Sequence, residues 1–355
     1  MTVPRLFARI AGGLAVLALI FAGATNASAA STSYVALGDS YSSGVGTGSY
    51  LSDGTSCQRS VYSYPALDAA RLGLTLTLRA CSGATIADVR ASQLGALSAD
   101  TGYVTITAGG NDIGWASVIT ECALPAWMSN CNGAIDSAVA AIRNQLPSAL
   151  AALYADIRAH APNARVVVVG YPRLFNGVDC HLLTFFSSAE MTRLNATADL
   201  LDSVTATAAG AAGFRFADPR TAFTGHAVCS SAPWINNFTY PIAESYHPNR
   251  AGHAGYAAVV APVLGSASVP VTAAALQSQA AALLASGKAN ASLDASIRPQ
   301  TVTAPDLTSP RARAAAAAAG VNLNDKASIA KADRTAEAKQ VALRRAQGQT
   351  VVTAG

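Results

Sequence analysis

The sequence predicts an α/β domain built on a parallel sheet. Short apolar runs of β type alternate along the chain with longer stretches of helical spacing, and this alternation is typical of a parallel sheet with helices on its faces. Runs such as RVVVV are apolar at nearly every position, as expected of strands that are covered on both faces. The chain has 355 residues, which is ample length for one such domain and further segments.

Five segments are the strand candidates. In chain order they are YVAL at 34–37, LTLTL at 74–78, YVTIT at 103–107, RVVVV at 165–169 and GFRFAD at 213–218. Between them lie stretches rich in Ala, Leu and Arg with helical spacing, including residues 135–160 and 188–209. Ligands of an open parallel sheet bind beyond the carboxyl ends of its strands. The residues that follow each strand are therefore the first place to search for function.

Residues 1–29 have the pattern of a secretory signal peptide. Arg5 and Arg9 give a positive start, an apolar run covers residues 10–22, and Ala27-Ser28-Ala29 is a small-residue cleavage site. No later segment has the length and apolar character of a transmembrane helix. We therefore expect a secreted, extracellular protein without a transmembrane segment, whose folded domain begins at residue 30.

The six cysteines agree with an oxidising compartment, because an even number in an exported chain favours disulfides. Sequence alone does not choose among the pairings that six cysteines allow. A metal site is disfavoured, since no Cys-x-x-Cys occurs and no histidine has ligand spacing. We expect sequential closure of three local loops, in the pairs Cys57–Cys81, Cys122–Cys131 and Cys180–Cys229.

Composition changes near residue 265. Up to residue 264 there are 14 Arg, no Lys and 15 acidic residues, whereas the later residues hold 6 Arg, 4 Lys and 5 acidic residues and no aromatic side chain. A segment without aromatics has little to build a core from. We assign 30–264 to one domain of catalytic size and 265–355 to an Ala-rich, basic extension, partly helical or disordered, joined around RPQTVTAPDLTSP. It is expected to be a solvated helix or linker, or else a segment that contacts anionic cell-envelope material.

Four polar or glycine-bearing loops should converge on one edge of the sheet: GDS after the first strand, ACSGAT after the second, GGND after the third and ESYHPN beyond the fifth. Acyl transfer to a hydroxyl needs a nucleophile, a base and donors to the developing oxyanion. Ser40 can be the nucleophile and His247 the base. The oxyanion donors can be the backbone N–H groups of Ser40 and Gly83 and the side-chain amide of Asn111.

Together, GDSYSSG, the glycine of ACSGAT, GGND and ESYHPN resemble the four successive blocks of the SGNH/GDSL hydrolase superfamily. The cysteine-bearing arrangement resembles its secreted actinomycete lipase/esterase branch. The resemblance covers about residues 33–264, with the blocks in the family's order. It implies a three-layer α/β/α sandwich with about five parallel strands, ester hydrolysis without a metal or organic cofactor, and the oxyanion roles given above. The Gly-x-Ser-x-Gly signature of other serine esterases does not occur around Ser40, because position 42 is Ser and not Gly.

The group that orients His247 has two candidates. Glu244 stands three residues earlier, where the resemblance implies an Asp, and its extra methylene alters its reach. The alternative is a backbone carbonyl within residues 241–245. We expect a contribution from Glu244. Read alone, Ser40 could instead be only a helix cap, but a cap does not require the other three blocks. GVGTG at 44–48 could imitate a dinucleotide loop, but a helix should then open directly on the glycines, and here a polar loop continues to Cys57 in a chain that is expected to be exported.

The sequence therefore predicts a secreted serine ester hydrolase, a lipase or esterase that cleaves acyl esters through a Ser-His acyl-enzyme mechanism. A phospholipase A-type or carbohydrate acetyl esterase activity is the alternative at the same site. A non-catalytic cell-surface binding protein is the alternative from a different class. The expected partner is a lipid or other acyl-ester substrate, with no cofactor and no nucleic acid, and the expected state is a monomer.

Overall fold

The computed structural model of the protein describes residues 1–2, 31–265 and 269–348. The predicted signal peptide lies outside these ranges, except for its first two residues. The chain from Ser31 onward forms one compact unit. Within the described ranges, no helix combines the length and the hydropathy that crossing a membrane requires.

A single sheet of five parallel strands runs through the domain, in the order β2-β1-β3-β4-β5. This confirms the predicted α/β fold. Strand order reverses between β1 and β3, so the carboxyl ends of these two strands flank the position where such sheets bind ligands. The strands are β1 Ser33–Gly38, β2 Thr75–Leu78, β3 Tyr103–Thr107, β4 Arg165–Val169 and β5 Arg215–Ala217.

The central strands are covered on both faces. Every residue of β1 after Ser33 and every residue of β4 after Arg165 is buried or nearly so, with Leu37 and Val167 fully inaccessible to solvent. Helices supply the two outer layers. Those of the front domain are α1 Ser40–Ser43, α2 Tyr64–Leu72, α3 Ile86–Asp88, α4 Trp115–Cys122, α5 Cys131–Asn144, α6 Leu146–His160, α7 Ser188–Ala211 and α8 Arg250–Leu264.

The long stretch predicted over residues 135–160 is two helices, α5 and α6, rather than one. Pro147 lies in the first turn of α6, where the missing N–H costs nothing because it would have no intrahelical partner. A proline further inside a helix would remove a hydrogen bond and clash with the preceding turn. The break therefore falls at Gln145, between the two helices.

Three disulfides close loops of the front domain. They join Cys57 to Cys81, Cys122 to Cys131 and Cys180 to Cys229, which is the predicted sequential order. The first disulfide ties the loop before α2 to the loop after β2. It therefore fixes the chain just before Gly83.

The C-terminal extension is helical and lies against the front domain. Its helices are α9 Ala273–Ala289, α10 Ala291–Asp294, α11 Pro310–Ala319 and α12 Lys326–Ala346. The side chain of Asp294 is buried and accepts hydrogen bonds from Arg59 at 2.7 Å and Arg79 at 2.9 Å. Further along, Arg311 pairs with Glu121 at 2.8 Å. Neither sequence-based view of the extension, as a solvated linker or as an envelope-binding segment, anticipates this packing.

Candidate active site

Ser40 and His247 lie 207 residues apart in the chain, and the structure brings them into contact. The Ser40 hydroxyl oxygen is 2.8 Å from Nε2 of His247. Ser40 is the first residue of α1, and the cap of this helix is Asp39, whose carboxylate accepts a hydrogen bond from the Tyr41 N–H at 3.0 Å. Ser40 is therefore not a helix cap, and its hydroxyl is available to the imidazole.

The turn that presents Ser40 depends on a glycine. Gly38 has a φ of +116°, and a Cβ at this position would lie 2.1 Å from the carbonyl oxygen of Thr107 in β3. Only glycine combines this backbone conformation with such a close approach to the neighbouring strand. The first strand can therefore stop abruptly and turn its next residues out over the sheet edge.

Asp39 holds the turn from beneath. Its carboxylate accepts hydrogen bonds from the hydroxyls of Thr107, at 2.8 Å, and Tyr171. Burial raises the pKa of Asp39 to about 6, and these hydrogen bonds oppose the increase. The side chain is tied to the scaffold and supports the turn, in keeping with its place as helix cap.

The orientation of His247 is set by a backbone carbonyl. Its Nδ1 lies 3.0 Å from the carbonyl oxygen of Ser245. A carbonyl only accepts hydrogen bonds, so Nδ1 carries the proton and Nε2 presents its lone pair to Ser40. Desolvation lowers the pKa of His247 to about 4, with the Ser245 bond opposing the shift. The imidazole is therefore neutral at ordinary pH, as a general base must be.

The structure places Glu244, the expected orienting residue, against Tyr50 and not against His247. Residues Ile242–Glu244 form a single 3₁₀ turn, and the Glu244 carboxylate accepts a hydrogen bond from the Tyr50 hydroxyl at 2.6 Å. The Glu244 side chain is thus bonded to Tyr50 in the loop before α2, and the imidazole of His247 is held by the backbone carbonyl of Ser245. Of the two candidates read from the sequence, the carbonyl of Ser245 is the one in contact.

Two further residues position the His247 loop, and the sequence reading missed both. The Tyr41 hydroxyl donates to the carbonyl of Tyr246 at 2.9 Å, and its ring centroid lies 5.3 Å from that of His247. At Gly46, a Cβ would lie 2.3 Å from the carbonyl oxygen of Pro248. The signals were present, because Tyr41 directly follows Ser40 and Gly46 lies in GVGTG, but the partners of both are remote in the chain.

The candidate oxyanion donors come from three loops. One side-chain N–H of Asn111 donates to the carbonyl of Ala84 at 2.9 Å, which fixes the amide and ties the third loop to the second. Gly83 adopts a φ of +85° in that second loop. Within the described residues, the backbone N–H groups of Ser40 and Gly83 have no hydrogen-bond acceptor. Two backbone N–H groups without an acceptor and one fixed amide thus lie at the sheet edge, and of the three residues Ser40 and Asn111 line the cavity beside the nucleophile whereas Gly83 does not.

Ser40, Asn111 and His247 border a small cavity of about 60 Å³. Most of the remaining lining is apolar, as suits an acyl chain. It includes Trp115 and Ile119 of α4, Leu174, Leu201 of α7, and Gln300, Thr301 and Val302 of the extension. In the described part of the chain, no group of three His, Cys, Asp or Glu side chains is placed to hold a metal ion.

Comparison with known proteins points to one family. The model of the GDSL-like Lipase/Acylhydrolase family matches residues 36–254. The chain is 47% identical over 230 residues to Lipase 1 of Streptomyces coelicolor, a match that covers 64% of this chain and 84% of that protein.

Solved structures of two Streptomyces enzymes are among those similar to this one. The extracellular lipase of Streptomyces rimosus superposes with a TM-score of 0.60 at 44% identity, covering 65% of this chain and 97% of that one. Phospholipase A1 of Streptomyces albidoflavus superposes with a TM-score of 0.61 at 42% identity, with the same coverage. About a third of this chain therefore has no counterpart in either structure, and the family model ends before the extension begins.

Proposed function

Because the chain belongs to the GDSL-like lipase/acylhydrolase family and is a carboxylic ester hydrolase of the lipase/esterase type, we propose that Ser40 is its nucleophile and His247 its general base. The observation that carries this assignment is the 2.8 Å contact between the Ser40 hydroxyl and Nε2 of His247, with Nδ1 held by the Ser245 carbonyl. Nucleophile, base and orienting group stand in the order that acyl transfer requires.

The proposed reaction has two halves. In the first, the Ser40 oxygen attacks the ester carbonyl carbon while its proton moves to Nε2 of His247. The tetrahedral intermediate then collapses, and the departing alcohol takes that proton, which leaves an acyl group on Ser40. In the second, His247 removes a proton from water, the resulting hydroxide attacks the acyl enzyme, and the carboxylic acid leaves as Ser40 is protonated again.

The oxyanion of each tetrahedral intermediate is stabilised, in this proposal, by the N–H groups of Ser40 and Gly83 and by the Asn111 amide. The two backbone groups have no acceptor among the described residues, so they need not break a bond before they meet the substrate oxygen. Donors that are oriented in advance stabilise developing charge without reorganisation at the moment of reaction. The hydrogen bond from Asn111 to Ala84 supplies this orientation for the amide.

We further propose that the protein is secreted and acts on acyl esters of lipid-like substrates. The signal-peptide pattern of residues 1–29 supports secretion, as do three disulfides, which persist in oxidising compartments. The apolar lining next to Ser40 supports an aliphatic acyl group. Phospholipid esters are the second candidate, because one similar solved structure is that of a phospholipase A1.

A labelling experiment tests the assignment of the nucleophile. The purified protein is treated with a p-nitrophenyl alkylphosphonate, which mimics the tetrahedral intermediate, and the modified residue is located by mass spectrometry. We expect one modification, at Ser40, and none in Ser40→Ala. Ser43→Ala is the matched control, since Ser43 lies on the same short helix and its hydroxyl contacts the Ser40 carbonyl instead of the imidazole. Label on another serine, or ester hydrolysis that persists in Ser40→Ala, refutes the assignment.

A substrate panel then separates the candidate substrates. Hydrolysis of p-nitrophenyl esters, tributyrin and dibutyrylphosphatidylcholine is compared for the wild type and Ser40→Ala, so that the triglyceride and the phospholipid carry the same short acyl chains. Release of fatty acid from phosphatidylcholine above that from triglyceride favours the phospholipase, and the opposite favours the lipase. Preference for acetyl groups on a carbohydrate would contradict a lipid substrate.

A further inference from the structure

One stretch of the extension, residues 297–302, crosses the candidate active site, and we call it the crossing segment. Ile297 at its start is 1% exposed, and Val302 at its end is 8% exposed. Between them, the backbone of Arg298 and Pro299 lies directly on Gly83, since a Cβ on that glycine would be 2.0 Å from the Arg298 carbonyl oxygen and 2.7 Å from Cα of Pro299. The crossing segment therefore covers the loop that carries one candidate oxyanion donor.

Both ends of the crossing segment are anchored. On one side, Asp294 is buried between Arg59 and Arg79, a cluster in which every side chain is at most 1% exposed. Breaking such a buried ion pair leaves uncompensated charge in the interior, so this anchor is strong. On the other side, the N–H of Thr303 donates to the Thr120 hydroxyl of α4 at 3.0 Å. The segment is thus stretched over the cleft between two fixed points.

The crossing segment also forms one wall of the cavity beside Ser40. Gln300, Thr301 and Val302 face a space whose other walls include Trp115 and Ile119 of α4. The remaining volume is about 60 Å³. Each water-sized group needs roughly 10–15 Å³ on this measure, so there is room for about four to six such groups. A short acyl chain fits, whereas a long one meets the wall.

We propose that the crossing segment is a specificity determinant of the ester hydrolase, and that Gln300 and Val302 limit the acyl group to short chains. The proposal rests on the function proposed above, since it assumes that Ser40 receives the acyl group. A segment outside the family match thereby sets which esters reach a site that lies within that match. Gln300 and Val302 act by the space that their side chains occupy in the lining of this cavity.

The test compares acyl-chain profiles of the full chain. The ratio of kcat/KM for p-nitrophenyl decanoate to that for p-nitrophenyl butyrate is measured for the wild type, Val302→Ala and Gln300→Ala. We expect the wild type to prefer butyrate and each variant to raise the ratio by at least about tenfold, because one methylene in an apolar pocket changes kcat/KM by roughly 10–200-fold. Val269→Ala is the matched control, since this valine of the extension is exposed and does not line the cavity.

Two outcomes overturn the proposal: a wild type that hydrolyses decanoate as fast as butyrate, or ratios in both variants within about twofold of the control. The rate at which butyl and decyl phosphonates modify Ser40 gives a second measurement that does not depend on turnover, and the same ratio should change there. If Ser40→Ala abolishes activity while the ratios stay fixed, only the crossing segment's role fails. If Ser40→Ala stays active, the proposed nucleophile fails instead.

Discussion

Two regions of the molecule meet at Ser40, and they reach it in different ways. The loops that follow the strands contribute side chains and N–H groups: Ser40, Gly83 and Asn111 lie within about five residues of a strand end, whereas His247 is held by its contacts with Ser245 and Ser40. The crossing segment contributes mainly the path of its backbone, and its anchors lie outside the cleft, at Asp294 and Thr303. The two regions thus meet different requirements of an enzyme. The reactivity of Ser40 depends on the residue types in the catalytic loops, whereas the access of substrate to Ser40 depends on where the backbone of the crossing segment runs.

The largest effect is expected on the reactive region, when its base, His247, is removed. His247→Ala should lower kcat/KM for p-nitrophenyl butyrate by about 10⁴-fold or more, because the base that accepts the Ser40 proton is gone. Glu244→Gln is the control: it keeps a side-chain acceptor for Tyr50, and His247 retains its Ser245 partner, so activity should stay within about threefold of wild type. Comparable losses in both variants would show that the Glu244 carboxylate is essential after all.

The next largest effect is expected on stability, when the anchor of the extension at Asp294 is removed. Asp294→Ala removes the shared carboxylate between Arg59 and Arg79 and should lower the free energy of unfolding by about 3–5 kcal/mol, since Arg79 stays buried without a carboxylate while Arg59 keeps only Asp53. Urea denaturation followed by tryptophan fluorescence measures this change. Asp306→Asn is the control, because Asp306 is exposed on the same extension and Asn keeps an oxygen that accepts from Thr308, so the midpoint should be unchanged. An unchanged midpoint in Asp294→Ala would mean that this cluster does not hold the extension.

A smaller effect separates charge stabilisation from binding. Asn111→Ala should lower kcat by about 10²–10³-fold with little change in KM, since an oxyanion donor acts on the transition state and contributes roughly 2.7–4 kcal/mol. Thermal melting shows whether the loss arises from unfolding, because the same side chain also bonds Ala84. A rise in KM at constant kcat would place Asn111 in substrate binding.

The smallest effect at neutral pH concerns the titration of His247. Its pKa is lowered to about 4, and the neutral form is the base, so kcat/KM should be constant above about pH 5 and fall as the pH drops through about 4. A pH profile with butyrate ester measures this midpoint. The pKa of Asp39 is raised to about 6, so its titration has to be distinguished from that of His247. The pH profile of Asp39→Asn makes this distinction, because a change in rate near pH 6 that is absent from the variant belongs to Asp39. A midpoint near the ordinary histidine value of 6.5 would contradict a desolvated imidazole.

The sheet could be predicted because its signal is local. Runs such as YVTIT and RVVVV combine β-branched side chains with near-continuous apolar character, and each strand of the structure overlaps its predicted segment. The place of Ser40 followed from the topology, since it comes directly after β1 and the carboxyl ends of parallel strands share one edge. His247 lies thirty residues beyond the end of β5, so its predicted contact with Ser40 depended on the resemblance of the four sequence blocks.

Glu244 and the extension could not be predicted, because their partners are remote. The Glu244 carboxylate binds Tyr50, which is 194 residues away, and no local pattern indicates which way a single 3₁₀ turn will direct its last side chain. Asp294 finds Arg59 and Arg79 at separations of 235 and 215 residues. An Ala-rich segment without aromatics predicts a weak core of its own, but it gives no information on a neighbouring domain whose buried Arg59 pairs with Asp53 and, together with Arg79, with Asp294 of the extension.

The contact between Gly83 and the Arg298–Pro299 backbone has a consequence for how this protein can vary. Main chain meets main chain there, so many side chains at position 298 leave the contact intact, whereas any side chain at position 83 collides with it. Position 83 is thus constrained twice: by its proposed role as an oxyanion donor, and by the close approach of the extension's backbone. Side-chain substitutions in this part of the extension are therefore tolerated as long as the course of its backbone is unchanged. In a library of substitutions, position 83 should be among the least permissive sites of the chain.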